Sequence, residues 1–185
     1  YLDHEHFNLG NNDTCLLCTA IKEYYVHFAM DLKKMALKNH VPRVYKKRSE
    51  KKGRSPGSLI FIGEKRVENV SIDLTDYTPQ EITHTLNTSL SEIHACKSSP
   101  TSSWIDVIGI HDPEVIKDLG EHFGIHILHQ EDVMNIDQRP KCDDSENGLY
   151  IVLQMLRYEN GKISSEQVSL WLTDKCLLGF QEVPG

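Results

Sequence analysis

The chain has 185 residues, 39% apolar and 8% aromatic, with 20 basic against 27 acidic side chains and a net charge of −7. This composition suits one soluble globular domain with an appendage and excludes collagen-like, coiled-coil and low-complexity classes. No apolar run nears the roughly 18–20 residues of a bilayer crossing, and no secretory signal stands at the start.

Charge is unevenly spread. Residues 38–54 carry eight basic side chains against the single acid Glu50, whereas residues 55–185 carry 21 acids and nine bases. A basic arm therefore precedes an acidic body, and an acidic body suits cations rather than a phosphate backbone. The five cysteines, Cys15, Cys18, Cys96, Cys142 and Cys176, are odd in number and scattered. They do not read as a disulfide framework, which indicates a reducing compartment.

In chain order, residues 1–34 form a leader of uncertain origin, and the chain opens on Tyr1, which reads as a fragment or a processed product. Ile21, Tyr25, Phe28, Leu32 and Met35 recur at spacings of three and four and predict an amphipathic helix over 21–39. Residues 35–54 read as a basic linker, and the compact domain occupies 55–185. Ser58–Ile62 reads as a short strand, and Val70, Ile72 and Leu74 alternate as in a half-buried one. Thr78-Pro79-Gln80-Glu81 has the chemistry of a helix start, with Ile82, Leu86 and Leu90 as the inner face. A loop over 96–103 precedes a strand from Trp104 to Ile110. Asp112-Pro113 opens a second helix that Gly124 stops, and a third short helix covers about Leu128 to Asn135. Leu149–Tyr158 reads as a central strand, Asn160-Gly161 as a hairpin turn, and Val168–Leu172 and Cys176–Gln181 complete an antiparallel meander. The fold class expected is α+β, a mixed, largely antiparallel sheet covered by helices.

Enzyme chemistry finds no foothold: neither a glycine-rich phosphate loop nor a nucleophile elbow occurs. His111, His122, His126 and His129 read as packing or surface histidines, and no catalytic residue is proposed. His4-x-His6 with Cys15-x2-Cys18 has the donors of a tetrahedral zinc site but a poor spacing for one. The run Asp143-Asp144-Ser145-Glu146 reads as a solvated loop. Glu131-Asp132 offers two hard oxygen donors of the kind Mg²⁺ takes. On a helix the two point about 100° apart, so they do not readily grip one ion together.

Several motifs in one order carry a resemblance. Pro56-Gly57, Trp104-Ile-Asp-Val-Ile-Gly-Ile-His111, Leu119-Gly-Glu-His-Phe-Gly-Ile-His126, Glu131-Asp-Val-Met-Asn135 and Gln138-Arg-Pro-Lys141 come first. Tyr150-Ile-Val-Leu-Gln-Met155, Glu166-Gln-Val-Ser-Leu170 and Phe180-Gln-Glu182 follow. Together they make residues 54–185 resemble the CorA family of divalent-metal transporters. The resemblance implies an α/β/α sandwich, the cytosolic N-terminal domain of a pentameric Mg²⁺ channel-transporter, with Co²⁺ and Ni²⁺ as further ions. It implies a cell-membrane protein whose cytoplasmic side this domain occupies, the piece itself being soluble. A long helix, two membrane helices and a Gly-Met-Asn signature are expected beyond Gly185. By resemblance, Asp132 binds a regulatory Mg²⁺ between identical subunits, Glu131 belongs to a second, weaker site, and the partner carboxylate of the first lies on the long helix. No nucleic-acid partner is expected.

Two rival readings come from other classes. One is a stand-alone regulatory or metal-binding module of the same fold, separate from any channel. The other is a nucleic-acid binder using Lys46-Lys47-Arg48 and Lys51-Lys52, whose binding would be strongly salt-dependent.

Overall fold

A computed structural model of the chain describes residues 55–159 and 162–184. The expected helix over 21–39, the His4/His6/Cys15/Cys18 set, the basic arm and the Asn160-Gly161 turn lie outside the described residues.

Seven strands form one sheet: β1 Ser71–Tyr77, β2 Ile82–Thr85, β3 Ser102–Ile108, β4 Lys141–Ser145, β5 Gly148–Glu159, β6 Lys162–Leu172 and β7 Cys176–Gln181. Their order is β2-β1-β3-β7-β6-β5-β4. Only β3 and β7 run parallel; the other five pairings are antiparallel. Among the described residues three helices accompany the sheet: α1 Leu90–Cys96, α2 Pro113–Phe123 and α3 Ile127–Val133. The architecture is α+β, as the sequence indicates.

Alternation along the strands sorts the side chains onto two faces. On one face a row runs from Leu74 to Ile105, Leu178, Trp171 and Tyr150, each opposite the next across neighbouring strands, and ends at Asp143 on the edge strand β4. Ile93 of α1, Ile116, Leu119 and Phe123 of α2 and Val133 of α3 pack on this face. Burying an aliphatic or aromatic side chain of this size contributes about 1.5–3 kcal/mol, so this row and the helices on it form the main core. Leu149, Ile151, Leu170, Leu172 and Leu177 form a smaller cluster on the opposite face, and all three described helices lie on the first.

The second expected helix is α2, and it forms for the reasons its sequence states. Asp112 Oδ1 accepts a hydrogen bond from Glu114 N at 2.9 Å, Pro113 takes the first turn, and Gly124 closes the helix at φ 73°. Trp171 Nε1 donates to Phe123 O at 3.2 Å and ties the end of α2 to the sheet.

Four expectations are corrected. Thr78-Pro79-Gln80-Glu81 starts a hairpin rather than a helix: Thr78 N donates to Glu81 O at 2.9 Å, and Thr78 Oγ1 accepts from Glu81 N at 2.9 Å. A threonine oxygen serves a turn as readily as a helix cap, and the open edge of β1 decides by pairing with Ile82–Thr85. The helix is α1, its cap eleven residues after Thr78, where the Glu92 carboxylate accepts from Ser89 N at 3.0 Å. Ser58–Ile62 makes no strand of the sheet, only a parallel bridge between Ile62 and Asn135. β7, buried at all six positions, is central, and β5 lies one strand from the edge. Finally, Asp143-Asp144-Ser145 is not a loop but the last part of β4, paired with β5 from Asp143↔Tyr150 to Ser145↔Gly148.

Candidate metal centre

The short helix α3 is seated by its buried side. Gln130 and Val133, with Met134 just after, are 4%, 1% and 0% exposed, which turns Glu131 and Asp132 outward to a rim. His126 Nδ1 accepts from Leu128 N at 3.3 Å at the start of the helix. At its end Gln167 Nε2 donates to Asp132 O at 3.3 Å, while Gln167 Oε1 accepts from Gln138 N at 3.0 Å. One buried glutamine on β6 thus fastens Asp132 and the turn that follows it to Gln138.

The rim residues open on a cleft of about 580 Å³ shared by Ser55–Ser58, α3 and β4. Glu131 Oε2 accepts from Gly57 N at 2.6 Å, joining positions 74 residues apart. Asp132 Oδ2 lies 2.8 Å from Lys141 Nζ, and the same ammonium lies 2.6 Å from Asp143 Oδ2. Lys141 and Asp143 alternate on the face of β4 that carries the helices, so both reach toward α3. His129 stacks on Tyr150, with ring centroids 4.5 Å apart, and its Nε2 lies 3.8 Å from Asp143 Oδ2.

These groups shape one another's protonation. Burial pulls the Lys141 ammonium down, but its hydrogen bonds to Asp132 and Asp143 and their charges outweigh that and hold it above its ordinary range. It is a fixed cation at neutral pH. Burial and then the Lys141 charge push the His129 imidazole down, against the opposing pull of Asp143 and Asp132, so it stays neutral there. Burial keeps the Tyr150 phenol protonated.

The structure places Glu131 and Asp132 in one cleft but does not aim them at one point: one carboxylate turns to Gly57, the other to Lys141. Among the described residues no three His, Cys, Asp or Glu side chains stand arranged around a metal position. What does converge is Asp132 with Asp143, both on a single cation that their own chain supplies. Both carboxylates are thus neutralised by the Lys141 ammonium at 2.8 and 2.6 Å. The sequence reads Asp143 as part of a solvated loop, His129 as a packing or surface histidine and Lys141 only as the end of a motif; His129 does pack, on Tyr150. Lys141-Cys142-Asp143-Asp144-Ser145 carries no apolar alternation in the sequence; its alternation of half-buried and exposed positions is set by the sheet.

The other singled-out histidines pack. His122 stacks on His94 with ring centroids 4.1 Å apart, and His111 sits edge-on to Phe61 at 6.3 Å. Among the described residues no helix is long and apolar enough to cross a membrane.

Comparison with known proteins places these motifs. A family described as "CorA-like Mg2+ transporter protein" matches residues 100–184. The chain is 41% identical over 142 residues to the cobalt/magnesium transport protein CorA of Thermotoga maritima, covering 76% of this chain and 40% of that protein. It therefore spans about two fifths of that relative's length. Among solved structures, the soluble domain of CorA from Methanocaldococcus jannaschii matches at 15% identity and a TM-score of 0.42, covering 63% of this chain and 41% of that one. The full-length CmaX protein matches at 13% identity and a TM-score of 0.49, covering 66% and 37%.

Proposed function

From the premise that the chain belongs to the CorA family of Mg²⁺ transporter proteins, we propose that it is the cytosolic regulatory domain of such a transporter, sensing divalent cations. The Thermotoga relative is a cobalt/magnesium transport protein, and Mg²⁺ is the ion proposed here, with Co²⁺ and Ni²⁺ as further cargo. Identical subunits, five around an axis, are the proposed partners, and the membrane is reached through the remainder of the longer protein. In this reading residues 55–185 are the sensor domain and 35–54 the linker before it.

The observation that carries the reading is the meeting of Asp132 and Asp143 on one cation in a cleft that also holds Glu131. Asp132 is the proposed ligand of the regulatory ion, and Glu131 the proposed contributor to a second site. Mg²⁺ bound there supplies positive charge between bodies that are acidic, each with 21 acids against nine bases over residues 55–185. Like charges crowded around an axis repel, more strongly where water is partly excluded. An ion favours whichever arrangement binds it better, so the ion-bound ring is the closed one and ion loss loosens it.

Calorimetric titration of the chain with Mg²⁺, and sedimentation with and without it, test the site. Binding or association that Asp132→Ala abolishes is expected; equal binding in that variant overturns the assignment. In the full-length protein Asp132→Asn should weaken Mg²⁺-dependent closure, and unchanged inhibition of currents overturns the sensing role.

A further inference from the structure

We infer that Lys141 is a tethered competitor for the cation site, its ammonium holding the Asp132 carboxylate that a divalent ion must take. This rests on the reading of Asp132 as an ion ligand and adds how the site is set to a threshold.

Three observations carry it. First, the ammonium bridges two carboxylates of different elements, 2.8 Å from Asp132 Oδ2 on α3 and 2.6 Å from Asp143 Oδ2 on β4. Second, its backbone cannot wander: Lys141 is paired with Val152 in the ladder, two residues before Asp143 pairs with Tyr150. A cation on a short flexible stem from a fixed point acts at a constant high local concentration. Third, the Asp132 side chain is 22% exposed, so its charge left without a cation would be costly, whereas Lys141 is 32% exposed and its end can swing to water.

Asp143 completes the device. It lies on the same strand face as Lys141 and is 41% exposed, so it can keep the ammonium when Asp132 is taken. Exchange then replaces one ion pair by another without stranding a charge. The net effect is a lowered affinity: the ion must outbid an internal cation, so occupancy changes at higher concentrations than bare carboxylates would set. No proton moves and no bond is made or broken in this exchange.

The test is Mg²⁺ calorimetry on the full-length protein as wild type, Lys141→Met, Lys141→Arg, Asp132→Ala and the double variant Asp132→Ala/Lys141→Met. Methionine keeps the stem and removes the charge; arginine keeps the charge. Lys141→Met should bind Mg²⁺ about tenfold tighter, within the usual span of coupling between two competing ligands. Lys141→Arg should stay near wild type, and the double variant should lose the gain. Asp132-dependent binding that is equal or weaker in Lys141→Met overturns the competitor and leaves the ion site standing. Binding indifferent to Asp132 in both backgrounds, or none in either, overturns the ion site itself and the competitor with it.

Discussion

Gln130 of α3 fills the space directly above Gly120 of α2, where a Cβ would overlap its Cδ and Nε2 atoms. The same side chain is 4% exposed and donates from Nε2 to Ile125 O at 2.8 Å. Gln130 immediately precedes Glu131 and Asp132, so this contact sets the height at which the two carboxylates meet the cleft. Helix propensity alone would make Gly120→Ala stabilising by about 1 kcal/mol. Overpacking against a buried, hydrogen-bonded neighbour costs about 1–3 kcal/mol and should win. Urea denaturation should therefore show a net loss of up to roughly 2 kcal/mol. A gain would mean that α3 lifts away freely.

Asp106 supplies a pH signature away from the cleft. It lies on the sheet face opposite the helices, accepts from Gln181 Nε2 at 2.8 Å and stands opposite Asp73. Burial, then the charges of Asp73 and Glu166, push its carboxyl up from 3.8 to about 6. Between those values the folded chain keeps a proton that the unfolded chain has released. This contribution to stability is therefore present at low pH and lost as pH rises through about 6. Asp106→Asn should stabilise the fold at pH 7.5 by about 1 kcal/mol, a value reduced for its partial exposure, and give no gain at pH 4. A difference between the two proteins that is flat with pH would refute it.

Glu166 fastens the chain after the central strand. Its Oε1 accepts from Glu182 N at 2.8 Å and Val183 N at 2.9 Å, while Arg157 lies 3.6 Å from its Oε2. Glu166→Ala removes the acceptor of two backbone donors, one of them at a buried residue, and should cost about 2–3 kcal/mol. Glu166→Gln keeps a carbonyl oxygen for them and should cost less than half as much. Equal losses in the two variants would place the effect in the charge rather than in the hydrogen bonds.

Metal binding should be visible in thermal unfolding. An ion at ten times its Kd that binds only the folded state adds about 1.4 kcal/mol, worth several degrees in a domain of this size. Melting in excess Mg²⁺ should lie above melting in EDTA for the wild-type chain, and the two curves should coincide for Asp132→Ala. A shift that survives in Asp132→Ala would move the ion elsewhere.

The same residues separate what was legible in the sequence from what was not. Helix α2 was legible in the sequence, because cap and proline act within its first turn and the glycine acts within its last. The β5–β6–β7 meander was legible as well, because alternation and hydrophobic runs are local patterns. The ordered motifs also carried the resemblance to the CorA family, on which the proposed roles of Asp132 and Glu131 rest. Local chemistry was ambiguous at Thr78–Glu81, where cap and turn ask for the same threonine oxygen, and pairing with β1 chose. Long-range packing is what makes β7 central, brings Gly57 to Glu131 and sets Lys141 between Asp132 and Asp143. Each of these depends on how segments far apart in the chain come to lie beside one another. That placement is set by the shared core beneath them, which no short window of sequence contains.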